Sequence, residues 1–198
     1  MSALRAFALT ICAFLLLPGI ALAQSPSTGG AEYVPPPPPA PENMTVPGTK
    51  AKLLPDGTAA APADAPVQVQ QAIWAANRLK DMPYKYGGGH AQVEDTGYDC
   101  SGTVSYALIH AGLLDTPLPS GPFMRWGARG RGTWITIFAN GGHAYAVIAG
   151  LRLDTSSYSA RTSSKVRRRY AKAFERGPRW RPTRRPARGF SKRHPIGF

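Results

Sequence analysis

The sequence predicts an α+β fold, and three features of the 198 residues carry that expectation. Two segments repeat apolar residues at helical spacing. Three later segments are rich in β-formers. The two kinds stand in separate blocks, an order that favours α+β over an alternating α/β arrangement.

The first helix is expected over Val67–Lys80. Val69, Ile73, Trp74 and Leu79, with Ala72, Ala75 and Ala76, recur on one face. Met82-Pro83 ends it, because a residue before proline avoids helical angles. Gly87-Gly88-Gly89 then opens a loop. A second helix is expected after Asp99, a good cap residue. Val104, Tyr106, Ala107, Leu108 and Ala111 form its apolar face, and Gly112 is a natural stop. Residues 115–132 carry Pro117, Pro119, Pro122 and several glycines, and read as irregular. The segments Trp134–Phe138, His143–Ala149 and Leu151–Thr155 read as strands, the first two joined by a turn at Asn140-Gly141-Gly142.

The ends of the chain read differently. Arg5, an apolar run from Ala6 to Leu17, and Ala21-Leu22-Ala23 form the pattern of a cleavable signal peptide over residues 1–23. The run falls short of the roughly 20 apolar residues of a spanning helix, so no stable membrane span is expected. Residues 24–66 are rich in Pro and Ala, including Pro35 to Pro39 unbroken, and are expected to form a disordered linker. The folded domain is therefore expected over 67–160. Of the net charge of +13, residues 161–198 supply all of it, with 14 Lys or Arg against Glu175 alone. This segment is expected to be a basic, largely disordered tail, and Trp180 is an odd residue within it. Its charge calls for a polyanionic partner. In an exported protein, anionic envelope polymer or anionic lipid fits better than specific nucleic acid.

Signal cleavage removes Cys12 and leaves Cys100 as the single thiol. A lone cysteine outside the cytoplasm forms no internal disulfide. It is a buried small hydrophobe, an intermolecular link or a reactive thiol. At the start of a helix, free N–H groups and the helix dipole favour a thiolate, which makes Cys100 the candidate nucleophile. A base must come from elsewhere. His194 lies in the tail. His110 lies about 15 Å along the same helix. His90 follows three glycines, which leaves its position open. His143 begins a strand after a tight turn and is the candidate base, with Asp154 on the next strand to orient it. No metal-ligand cluster is evident, and neither metal nor cofactor is expected.

Pro83-Tyr84-Lys85-Tyr86-Gly87-Gly88, followed by Asp99-Cys100-Ser101-Gly102-Thr103-Val104, resembles the NlpC-type cell-wall cysteine peptidases. That family reads P-Y-x-W-G-G, then D-C-S-G-hydrophobic-V, and then a His-led strand, matched here by His143–Ile148. The resemblance covers about residues 67–160. It implies a papain-like fold, with the nucleophile helix packed on a small antiparallel sheet. It implies Cys100 as nucleophile, His143 as base and Asp154 as third residue, where the family often has His, Asn or Gln. It places Tyr84 near the thiol and Asp99 and Ser101 beside the substrate amine. Where many members have Gly-Asp-hydrophobic before the His, this chain has Gly132-Thr133-Trp134. The activity implied is that of a secreted or periplasmic peptidoglycan hydrolase cutting an amide bond of the peptide stem. The alternatives are an inactive wall-binding protein of the same fold and an N-acetylmuramoyl-alanine amidase.

Overall fold

The computed structural model describes residues 44–156, 177–183 and 188–198. The expected signal peptide and the proline run lie outside the described residues, as does most of the first half of the basic tail.

The two long helices fall where their patterns predict. α1 spans Val67–Arg78, and α2 spans Cys100–His110. In α1 the buried positions Val69, Ala72, Ile73 and Ala76 follow the i, i+3, i+4, i+7 stripe of an amphipathic helix. In α2 every residue from Cys100 to Leu108 is buried, so this helix is surrounded by the rest of the fold. Asp99 caps it with extended backbone, its Oδ1 accepting the Gly102 N–H at 2.7 Å. Gly112, at φ +66°, lets the chain turn away from its far end. A short α3, Ser120–Phe123, interrupts the stretch read as irregular and buries Phe123.

Nine strands are present among the described residues. β1 (Thr45–Val46), β2 (Lys52–Leu53) and β3 (Ala59–Pro62) form a small sheet in the order β1-β3-β2. β4 (Ala128–Arg129), β5 (Ile135–Asn140), β6 (His143–Ile148), β7 (Leu151–Asp154), β8 (Arg179–Pro182) and β9 (Ser191–His194) form a six-stranded antiparallel sheet. Its order is β4-β9-β5-β6-β7-β8. The β5–β6 hairpin turns at Gly141-Gly142, with Asn140 opposite His143. The coarse α+β class therefore holds. Ile135, Ile137, Ala139, Ala144, Ala146, Ile148 and Leu153 join α1 and α2 in one apolar core. Alternation along the strands sends Phe138, His143, Tyr145, Arg152 and Asp154 to the opposite face.

Two expected boundaries are corrected. Residues 44–66 are not linker. Ala59, Ala60 and Ala61 of β3 are fully buried, and β3 packs on α1. Alanine contributes little to a composition count of apolar bulk, yet its small side chain lets β3 lie close against a helix. Nor are residues 177–183 and 188–198 a disordered tail. β8 and β9 complete the large sheet, and β9 runs between β4 and β5. The basic residues hid a strand pattern: Arg179 and Arg181 alternate with Trp180, which is only 5% exposed. The folded unit thus extends beyond 67–160 at both ends.

One buried amide ties these additions to the helices. Asn77 of α1 accepts the Ala59 N–H and donates to the Ala59 carbonyl, each at 2.9 Å. Its Oδ1 also accepts the Trp180 indole N–H at 2.8 Å. A side chain of α1 thereby satisfies polar groups of β3 and β8 together.

Candidate active site

Cys100 occupies the first position of α2, and the segment before it is locked to the helix start. The Asp99 N–H donates to the Gly88 carbonyl at 3.2 Å, and Asp99 Oδ2 accepts the Gly87 N–H at 3.1 Å. Lys85 and Tyr98 are hydrogen-bonded through their backbones, and Tyr84 forms a parallel bridge with Tyr98. The two sequence blocks around Gly87-Gly88 and Asp99–Gly102 are therefore one structural unit. It requires glycine at 102, because a Cβ there would stand 2.0 Å from the Gly88 carbonyl oxygen. Gly102→Ala is expected to destabilise the protein by about 2–3 kcal/mol and to displace Cys100. Chemical denaturation of both proteins measures the first effect.

Asp99 and Ser101 are turned to this local network. Asp99 Oδ1 accepts the Gly102 N–H and lies 3.2 Å from Ser101 Oγ and 3.0 Å from His90 Nε2. Ser101 Oγ also lies 3.2 Å from His90 Nε2. Asp99 is thus largely occupied as a helix cap. His90, left open by its glycine-rich surroundings, is fixed against both residues.

His143 stands at the first position of β6, beside the hairpin turn, and its side chain hydrogen-bonds Cys100. On its other side His143 Nε2 meets Asp154 Oδ1 at 2.9 Å, which leaves Nδ1 for the thiol. Cys100, His143 and Asp154, selected from sequence, are thereby brought into one line from helix to sheet. His194 sits on β9 with its ring against the Gly130 carbonyl, and His110 pairs with Glu94.

The electrostatics favour an ion pair at Cys100 and His143. Burial pushes the Cys100 thiol up. Hydrogen bonds from His143 and the Ala144 N–H, with the imidazolium charge, outweigh it and hold the thiol below its ordinary value. Burial pushes His143 down. Hydrogen bonds to Asp154 and Cys100, and both negative charges, overcome it and raise the imidazole to about 9. Burial likewise opposes ionisation of Asp154. His143, the Arg152 guanidinium and Ser156 overcome it and hold its carboxyl well below the usual range.

No family model, curated protein or solved structure matches the chain.

Chemically, the arrangement offers a thiolate at a capped helix start, a proton carrier beside it, and a fixed carboxylate behind. These are the parts of nucleophilic acyl transfer. Among the described residues, no group of three or more His, Cys, Asp or Glu is placed to hold a metal ion.

Asp154→Asn keeps the shape but removes the charge. His143 is expected to fall toward its ordinary value, which titration of the imidazole by NMR measures. Stability should respond as well. A raised folded value means that the imidazolium stabilises the fold fully below about pH 6.5, and that this is lost as pH rises through about 9. The lowered Cys100 thiol titrates against this in the wild type, so the effect is read in Cys100→Ala, where denaturation curves across the window should slope, and should flatten when Asp154→Asn is added.

The sequence pattern missed Arg152, Ser156, Tyr145 and Phe190. Arg152 was within reach of pattern reading, since i, i+2 spacing on β7 puts it on the face of Asp154. Phe190 was not. It lies beside His143 and Tyr145 at ring distances of 6.3 and 5.3 Å only because β9 returns to the sheet.

Proposed function

We propose that this chain is an exported cysteine hydrolase of the bacterial cell wall. It acts on an amide bond of the peptidoglycan peptide stem, in a papain-like arrangement of the NlpC type. The observation that carries the reading is Cys100 at the start of α2, hydrogen-bonded to His143, whose Nε2 meets Asp154. The compartment and substrate rest on the resemblance of the Pro83–Gly88 and Asp99–Val104 blocks and on the signal-like residues 1–23. No helix among the described residues is long and apolar enough to cross a membrane.

The Cys100 thiolate attacks the carbonyl carbon, and a C–S bond forms. The imidazolium of His143 gives its proton to the leaving amine as the C–N bond breaks. Neutral His143 then takes a proton from water, whose oxygen attacks the thioester and releases the acid. The thiolate and imidazolium are restored, and Asp154 holds the ring throughout. Helix-start N–H groups suit the oxyanion that develops in both steps. Asp99, already committed to the helix cap, leaves Ser101, Tyr84 and His90 as the side chains through which a substrate amine would be read.

Peptidoglycan is the first partner. The charge of residues 161–198 suits anionic envelope polymer as a second, and Arg179, Arg181 and Lys192 bring part of that charge onto the sheet that carries His143. Digestion of purified sacculi, with mass spectrometry of the products, tests the reading. New amine and carboxyl ends within the stem are expected. Cleavage between glycan and stem would move the assignment to an amidase. Binding without any released fragment would sink the enzyme reading and leave a wall-binding module.

A further inference from the structure

The carboxylate behind His143 is shared. Asp154 Oδ1 faces His143 Nε2, while Oδ2 accepts from Arg152 Nε at 2.8 Å and lies 2.5 Å from Arg152 Nη2. Ser156 adds its Oγ to Oδ2 at 2.6 Å and its N–H to Oδ1 at 3.0 Å. The Asp154 side chain is fully buried. Arg152 is itself held in place. Its guanidinium carbon lies 3.7 Å above the Tyr145 ring, and that ring is stacked on Phe138 at 4.8 Å. This is more than a helper carboxylate needs in order to stay in place, because the Ser156 hydroxyl and N–H already grip both oxygens.

We propose that Arg152 is a positioning residue that tunes the Cys100–His143 pair: by drawing on the Asp154 carboxylate, it limits that carboxylate's pull on the imidazolium and keeps His143 able to release its proton. A buried carboxylate with His143 as its sole counter-charge would bind the imidazolium too tightly for proton delivery to a leaving amine. A guanidinium on the second oxygen divides that attraction, and its own positive charge repels the imidazolium. The mechanistic consequence rests on the proposed hydrolase reading. The titration argument rests on geometry alone.

Among the described residues, the other charged and titratable groups around the pair are few. α2 contributes Cys100 and Asp99, and β6 contributes Tyr145. β8 places Arg179 opposite Asp154 and Arg181 opposite Arg152. Arg181 donates to the Ser156 carbonyl. Arg131 lies over Phe138 and acts on Tyr145. Asn140, opposite His143, carries no charge. Arg152 is in direct contact with the carboxylate that orients His143.

The test needs no substrate. The His143 imidazole is titrated by NMR, and Cys100 alkylation by iodoacetamide is followed against pH, in wild type, Arg152→Gln and Arg152→Lys. In Arg152→Gln the His143 titration is expected to rise by about one pH unit, with the thiolate limb moving the same way. Arg152→Lys keeps the charge and is expected to stay within about 0.3 unit of wild type. A purely structural role would loosen Asp154 and lower His143 in Arg152→Gln. A lowered or unmoved titration there overturns the proposal, as does a Lys variant that moves as far as Gln. Should Arg152→Gln not fold, the Lys variant alone decides by the same limit. If hydrolysis of sacculi fails while these titrations behave as stated, the hydrolase reading is lost and the tuning role stands. The converse result separates them equally well.

Discussion

On the proposed hydrolase reading, Cys100→Ala is expected to reduce amide cleavage by about 10³-fold or more while leaving the fold in place. The substitution removes one sulfur atom from a residue that is 8% exposed, so the packing loss is about 1 kcal/mol. The chemical loss is of another order. The covalent step has no alternative nucleophile in the line of Cys100, His143 and Asp154, and water attack without the thioester would have to rely on binding and oxyanion stabilisation. Fragment release from sacculi measures the first effect, and far-ultraviolet circular dichroism with a melting curve checks the second. A variant that releases fragments at the wild-type rate would remove Cys100 from the chemistry altogether. Loss of release together with loss of the folded spectrum would show a packing role instead.

Asn77→Ala is expected to cost about 3–5 kcal/mol of stability. The alanine leaves the Ala59 N–H, the Ala59 carbonyl and the Trp180 indole N–H without the partner they share. Each unpaired buried group costs about 1–3 kcal/mol, and local relaxation keeps the sum below the simple total. Urea denaturation gives the value directly. A cost under about 1 kcal/mol would mean that the amide is incidental to the joining of β3, α1 and β8. Because Asn77 lies outside the Cys100–His143–Asp154 line, the thiol reactivity of the folded fraction should change little.

The parts legible in sequence were those fixed by short-range physics. The start of α2 was readable because Asp99 is a strong cap and its N–H partner lies three residues on. The β5–β6 hairpin was readable because Asn140-Gly141-Gly142 is a turn signal between β-rich runs. From these two local facts Cys100 and His143 both land at element beginnings, where reactive groups are commonly held. Asp154 followed from strand adjacency. What escaped was long-range. β3 is four small residues whose burial depends on a helix that comes later in the chain. β8 and β9 are strands within an arginine-rich segment, and only the alternation of Trp180 with Arg179 and Arg181 hinted at the first. The occupation of Asp99 by Gly87, Gly102 and His90 depended on how a triple-glycine loop folds back, and glycine leaves that path undetermined in sequence.

The placement of β9 has a consequence for the order of events during synthesis. Residues 191–194 do not add to an outer edge of the sheet; they enter between β4 and β5. Until they have been made, β5 lacks one of its two neighbours, and the aromatic side of the hairpin that carries His143 lacks Phe190. A growing chain therefore holds the helix with its thiol and the hairpin with its imidazole well before it can finish the sheet behind them. Late closure delays assembly of the Cys100, His143 and Asp154 site until the sheet that supports it is complete.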